Sequence, residues 1–384
     1  MPHEIARLTA QDYEELVDFI SMVFSVAHGP TDFQTFGPAM YEPTDESMSQ
    51  QYVVRENGRI RAAVGVFPMT YRIGDISLRV AGVGNVAVHK HHGGKGYMVE
   101  LMNAATADMA MGGVDFSFLT GQRQRYQYFG YEPCGAACAV YFSPASVKHT
   151  ARHAGFATYT FEEMAAQSEE IINKAYEIYA AQFARIERPR EKFVNILRAG
   201  VATPYVIFAD GEVVGYVTRS GSTIKEIRVA DDNQLPSILH ALTASRPGEH
   251  STVFLPTHEP QNLAQAIRIC ESYVVENAGN YRLFNFARTV EAFLTLKASY
   301  RPLPSGEMVV GSDLFGNHVI SIVAGSVAVS PTDREPDVTL HGMDIYQFLF
   351  GAAPIDGFFD GDREPNLAHA WFPAPLYFPF PDHV

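Results

Sequence analysis

At 384 residues, 47% apolar and 19% charged, the chain has material for two or three folded domains and excludes a disordered polymer. Its formal charge of −14 argues against a surface built for nucleic acid or acidic membrane, both of which need clustered Lys and Arg, and leaves either plain solubility or a cationic substrate as its use. Cys134, Cys138 and Cys270 form no Cys-x-x-Cys pair, which predicts small buried thiols rather than disulfides or structural zinc. No apolar run reaches membrane-spanning length and the first residues have no signal layout, so a cytoplasmic protein is expected.

In chain order, residues 5–8 read as a strand, and Thr9 caps a helix with Leu16, Phe19, Ile20 and Val23 along one side. Thr31-Asp32-Phe33 follows; Asp32 is either a turn cap or a carboxylate that draws an ammonium group. Strands 51–56 and 60–66 flank Asn57-Gly58, a hairpin signal, and a second antiparallel pair is expected at 69–73 and 77–80. The apolar strand Val83 to Val88 then leads through Lys90, His91, His92 and three glycines into a helix. Met98, Leu101, Met102, Ala105 and Met109 make one face of that helix, and Gly112-Gly113 end it. Gly93, Gly94 and Gly96 thus lie at a helix N-terminus, where free N–H groups and the dipole favour an anion such as a pyrophosphate. A strand at 115–119 precedes Arg125-Tyr126-Gln127-Tyr128-Phe129-Gly130-Tyr131.

The pattern then partly repeats, with a long helix over 161–183, strands at 205–209 and 213–219 around Asp210-Gly211, a strand at 224–229 and a helix after Asp232. Here Ala230-Asp231-Asp232 replaces the glycine loop, so no phosphate site is expected in this copy. Strands at 318–323, 326–329 and 337–340 and a helix at 343–350 precede a stiff, aromatic and proline-rich tail, WFPAPLYFPFPDHV, which should be packed.

The stretch Gly93-Gly94-Lys95-Gly96-Tyr97-Met98, with the strand before it and the Tyr126 segment after it, resembles the GNAT superfamily of acyl-CoA-dependent N-acetyltransferases. Gly93 stands where the superfamily has Arg or Gln, and Met98 where it has a small residue. The order of segments resembles the Eis (enhanced intracellular survival) group. The fold this implies is α/β (α+β): two fused GNAT-like domains with mixed sheets, at 1–150 and 151–285, plus a sterol carrier protein-like α/β domain at 286–384.

The resemblance implies acetyl-CoA as donor and a small cationic amine, aminoglycoside- or polyamine-like, as acceptor, with no nucleic acid or membrane partner and a homo-oligomer, hexameric in that group. Val86, Ala87, Val88, Gly93, Gly94, Lys95, Gly96, Tyr97 and Met98 are the implied cofactor-binding residues, and Asp32 and Asn85 the substrate-binding ones. Tyr126 is the implied general acid, a phenol that stays protonated at neutral pH, with a packed aromatic as the alternative and Tyr128 beside it. The α-carboxylate of Val384 is the implied base, with Asp382 and His383 as alternatives. His89, His91 and His92 have no carboxylate or thiol nearby in sequence, and no metal is expected. A non-catalytic CoA- or lipid-binding scaffold is the competing reading.

Overall fold

The computed structural model describes residues 3–150, 158–246, 248–358 and 367–384. The chain first lays down β1 (Glu4–Arg7), β2 (Gln51–Glu56), β3 (Arg59–Ile73), β4 (Ile76–Val88), β5 (Phe116–Leu119), β6 (Glu132–Cys134) and β7 (Ala137–Phe142). The middle holds β8 (Tyr159–Glu163), β9 (Ala184–Ile186), β10 (Thr203–Ala209), β11 (Glu212–Ser220), β12 (Thr223–Val229), β13 (Ser251–Pro256), β14 (Ser272–Glu276) and β15 (Gly279–Leu283). Last come β16 (Gly306–Ser312), β17 (Gly316–Val323), β18 (Ser326–Pro331) and β19 (Val338–Leu340).

Among the described residues three mixed sheets form, which is the α/β class expected. The first runs β1-β2-β3-β4-β5-β15-β6 with β9 paired to β3, the second β14-β7-β13-β12-β11-β10-β8, and the third β18-β17-β16-β19. The first two exchange strands: β7 lies between β13 and β14, and β15 between β5 and β6. Sheet membership therefore does not follow contiguous stretches of sequence, and the expected division near residue 150 falls against residues outside those described.

Both hairpin turns form as their sequences dictate, with positive φ at Asn57 (56°), Gly58 (72°), Asp210 (50°) and Gly211 (82°). The two hairpins expected at 51–80 differ, because β3 and β4 each run unbroken where the sequence pattern predicts two strands. Pro68 interrupts nothing. Val66 N donates to Gln50 O on one edge of β3, and the Thr70 carbonyl on that same edge accepts from Glu187 N. Pro68, between them, faces an edge β2 has already left and lacks only an N–H with no strand to meet. The helix expected over 161–183 is also shorter: Tyr159–Glu163 is a strand on β10, and the helix spans Glu169–Ala180, its Ser168 cap accepting from Ile171 N. Alternation of Tyr159 and Phe161 with polar residues is the period-2 pattern that sets the boundary.

The helix Tyr97–Met111 buries Tyr97, Leu101, Met102, Ala105 and Met109 against Tyr52, Val54, Ala62, Val64 and Val66 of β2 and β3, each large side chain contributing about 1.5–3 kcal/mol. The helix Phe286–Tyr300 joins the first and third sheets, since one apolar core contains its Phe293 with Phe116 and Phe118 of β5, Val310 and Ile320 of the third sheet, and Trp371 of the tail.

Two largely enclosed histidines make stability depend on pH. Burial holds His383 down to about 4 and His258 down to about 3, against about 6.5 for a free imidazole. Below pH 6.5 the unfolded chain binds protons that the folded one refuses, so stability is complete above that pH and falls as pH drops towards 4. The slope is at most about 1.4 kcal/mol per unit for each ring. Urea midpoints should be lower at pH 5 than at pH 7; equal midpoints would contradict the burial of both rings.

Candidate active site

The site begins where β4 and β5 part. These parallel strands pair at Val80↔Phe116, Ala81↔Ser117 and Gly82↔Phe118, after which β4 continues to Val88 while β5 ends. On its other side β4 carries a bulge: the register with β3 shifts from Ala63↔Ala87 to Gly65↔Gly84, leaving Asn85 and Val86 opposite Val64. Asn85 takes φ 40° and its Nδ2 donates to Gln51 Oε1 at 3.0 Å. A Cβ on Gly65 would lie 2.1 Å from Asn85 Oδ1, so only glycine fits there.

A cavity of about 840 Å³ fills the opening. Val86, Val88, Gly93, Gly94, Gly96, Tyr97, Met98, Asn85, Tyr126 and Val384 all border it, so the structure brings most of the sequence-predicted residues together. Ala87 points the other way, into the core beneath the first helix, Tyr13–His28. Lys95 is outside the wall and paired with Glu56 at 3.0 Å. Asp32 borders neither this cavity nor the next. It caps a helical turn, accepting from Gln34 N and Thr35 Oγ1, and those bonds hold its carboxyl below the usual range, the Thr35 bond foremost.

Gly94 (φ 77°) and Gly96 (φ 84°) are left-handed, and no side chain caps the helix that starts at Tyr97. Its first N–H groups face the cavity end lined by Gly93 and Gly94, a cradle suited to a phosphate. Burial first, and then neighbouring cations, lower the pKa of His89 and His92. His92 Nε2 stands 3.3 Å from Glu56. Among the described residues no group of three or more His, Cys, Asp or Glu could hold a metal, and no helix is long and apolar enough to cross a membrane.

Tyr126 is 6% exposed, its ring packed so closely on Gly121 that a Cβ there would sit 2.5 Å from Cε2. Burial raises its pKa, with Arg125 acting the other way. Tyr128, by contrast, is 82% exposed and absent from the wall.

The tail ends beside the same strand. Lys297 Nζ donates to the carbonyls of Trp371 and Pro373, each at 3.0 Å, and Tyr71 Oη to that of Tyr377 at 3.0 Å. Phe378 stacks on Phe118 of β5 (4.5 Å, 3°), and Phe380 lies 4.5 Å from Phe254 of β13. The tail thus ties the helix Phe286–Tyr300 to the first two sheets. Asp382 spends both oxygens on the fully buried Arg188, at 3.0 Å from Nε and 2.7 Å from Nη2. Arg188 in turn donates to Glu226 of β12 at 2.8 and 2.9 Å. His383 lies near the Phe378 carbonyl (3.1 Å) and is held neutral by burial.

Val384 remains. A Cβ on Gly84 would lie 2.7 Å from its carboxyl carbon, and one on Gly82 2.6 Å from its Cγ2. These two glycines make room for the last residue, and with Arg188 and Glu226 they are what the sequence reading missed. Glycine twice on one face of an apolar strand was the available signal for close approach. Val384 also borders a second cavity, of about 780 Å³, on the far side of β4. Phe67, Met69, Tyr176, Glu46 and Glu191 line it, where β3 has left β2 and not yet met β9.

Residues 4–134 match the acetyltransferase (GNAT) domain family. No curated protein matches the chain. Among solved structures, a GCN5-related N-acetyltransferase from Kribbella flavida is similar over 98% of this chain and 100% of its own, at 17% identity and TM-score 0.68. A probable N-acyltransferase from Enterococcus faecalis V583 is similar over 98% of each chain at 15% identity and TM-score 0.66. Eis1 from Mycobacterium abscessus covers 100% of this chain and 99% of its own at 15% identity and TM-score 0.63. At these identities the likeness is one of fold, extending over the whole chain. The part of the molecule that carries the splayed strands and the glycine loop is the part that matches the acetyltransferase (GNAT) domain family.

Proposed function

We propose that the protein transfers the acetyl group of acetyl-CoA to a small cationic amine at the junction of the two cavities. The observation that carries this is Val384, which borders both: the one with the glycine cradle and Tyr126, and the one with the exposed carboxylates Glu46 and Glu191. The first would hold the donor, its pyrophosphate at Gly94, Gly96 and the helix start, its pantetheine along Val86 and Val88 of the splayed strand. The second would admit the amine. A thioester supplies an activated acyl carbon; the chain's own groups do the rest. The Val384 carboxylate draws the ammonium, which gives up one proton to solvent, and the carboxylate accepts a second proton as the now neutral amine nitrogen forms its bond to that carbon. Tyr126 Oη gives its proton to the sulfur as the C–S bond breaks. Asp382 is committed to Arg188 and His383 is a weak base, which leaves the α-carboxylate for the role.

In this reading residues 1–150 are the catalytic domain and 151–285 a GNAT-like domain without a cofactor loop. Residues 286–384 are a sterol carrier-like domain whose tail completes the site. Its interior is filled by its own Phe293, Phe348 and Trp371, all fully buried, which favours an enzyme over a lipid carrier.

Two measurements test the proposal. Free thiol should be released from acetyl-CoA with some member of a panel of basic amines, and silence across the panel would remove the acceptor class. Acetyl-CoA should also raise the melting temperature, since it binds the folded state alone. Gly96→Val, which forces a β-branched residue to φ 84°, should abolish that rise; an undiminished rise would place the donor elsewhere.

A further inference from the structure

The second sheet repeats the geometry of the first and inverts its charge. β12 and β13 are parallel and pair only at Thr223↔Thr252 and Ile224↔Val253, then diverge as β4 and β5 do. A cavity of about 1210 Å³ opens at the end of β12, walled also by the helix Glu169–Ala180, by His258, Glu259 and the first turn of the helix Pro260–Ile269, and by the end of the helix Phe286–Tyr300.

A phosphate has no place in it. Asp231 Oδ1 accepts from both the backbone N and the Nδ2 of Asn233, at 3.0 and 2.9 Å, so the turn before the helix Leu235–Ala244 is satisfied by its own carboxylate. Asp232 and Glu177 border the same space, and no ion pair among the described residues involves Glu177, Asp231 or Asp232. Lys174, also in the wall, is engaged by Glu170 at 3.4 Å.

The second observation is independent of the carboxylates. The His258 side chain, in the same wall, is only 7% exposed, and its Nδ1 has no hydrogen-bond partner. Asn262 donates through Nδ2 to Asp232 (3.1 Å) and Glu259 (3.2 Å), while its Oδ1 is buried without a partner. Burial keeps the His258 imidazole neutral, so one of its ring nitrogens accepts a hydrogen bond. Unpaired buried polar atoms are costly, and these lie in a wall that already concentrates negative charge. Ile178 and Val213 supply apolar surface beside them.

We propose that this cavity is a binding site for a linear polyamine, whose ammonium groups meet Glu177, Asp231 and Asp232, whose methylenes lie along Ile178 and Val213, and whose N–H groups satisfy Asn262. The site is separate from the acetyl-transfer junction and does not rest on that reading.

The test is calorimetric titration of the full chain with spermidine at low salt. Ala230→Lys places an ammonium in the wall from an exposed position, and Asp231→Asn with Asp232→Asn removes two charges while keeping the capping oxygens. Each should weaken binding at least about tenfold, the scale of a lost charge-assisted contact, with melting temperature preserved. Asp333→Asn with Glu335→Gln, an equal charge loss on a distant exposed loop, should change it less than about twofold. Equal weakening in the distant pair, or none in Ala230→Lys, overturns the site. Weakening confined to Glu46→Gln with Glu191→Gln does so too, because spermidine then belongs to the cavity at Val384.

Discussion

Tyr126→Phe is expected to cut turnover about 10²–10⁴-fold, roughly 3–5 kcal/mol of barrier, with folding and acetyl-CoA binding intact. The ring is almost wholly enclosed and touches Gly121, so the packing survives and one hydroxyl is lost. Burial lifts the phenol's pKa, which keeps it a proton donor well into the alkaline range. The effect should therefore appear in kcat, with KM for acetyl-CoA and melting temperature near those of the parent. An unchanged kcat would take the acid role from Tyr126. Tyr128, facing solvent at 82% exposure, is badly placed to inherit it.

Arg188→Met is expected to lose about 3–5 kcal/mol of stability, the usual cost of leaving buried charges without their partner. Four donor contacts vanish together, and the carboxylates of Glu226 and Asp382 lose the guanidinium between them, Glu226 keeping, among the described residues, only the Tyr216 hydroxyl as a hydrogen-bond donor. Because Asp382 is two residues from Val384, the tail should also leave the junction, so activity falls further than the unfolded fraction alone requires. Urea unfolding with turnover measured well below the midpoint separates the two losses. Adding Glu226→Gln and Asp382→Asn should recover much of the stability, since no buried charge is then left alone. A single variant as stable as the parent would mean the cluster is neither dry nor tightly paired.

The apolar period of Met98, Leu101, Met102, Ala105 and Met109 sufficed to place the helix, and Asn57-Gly58 and Asp210-Gly211 their turns, because local geometry fixes these features. The glycine loop was legible for the same reason: Gly94 and Gly96 are needed where φ is positive. What stayed hidden was long-range. Nothing local says that β7 and β15 change sheets or that Arg188 reaches 194 residues along the chain to Asp382. Phe161 reads as helical from the sequence because its alternation with Tyr159 spans only a few residues. Of the two uses open to Asp32 from sequence, a turn cap or a carboxylate that draws an ammonium group, it takes the cap, which is decided by the local bonds to Gln34 N and Thr35 Oγ1.

The account rests on the α-carboxylate of Val384, and one measurement addresses it directly: turnover of the full chain made by ligation of a synthetic tail ending in Val384 carboxamide, beside the same ligated protein ending in the free acid. The amide keeps the side chain against Gly82 and the small volume against Gly84, and removes only the charge and the basic oxygen. Turnover should drop more than about tenfold, since a base must lie within hydrogen-bond reach of the proton it takes, while the acetyl-CoA melting shift is retained. A carboxamide protein that folds, binds acetyl-CoA and turns over like the acid would contradict the assignment and leave the tail a purely structural strap.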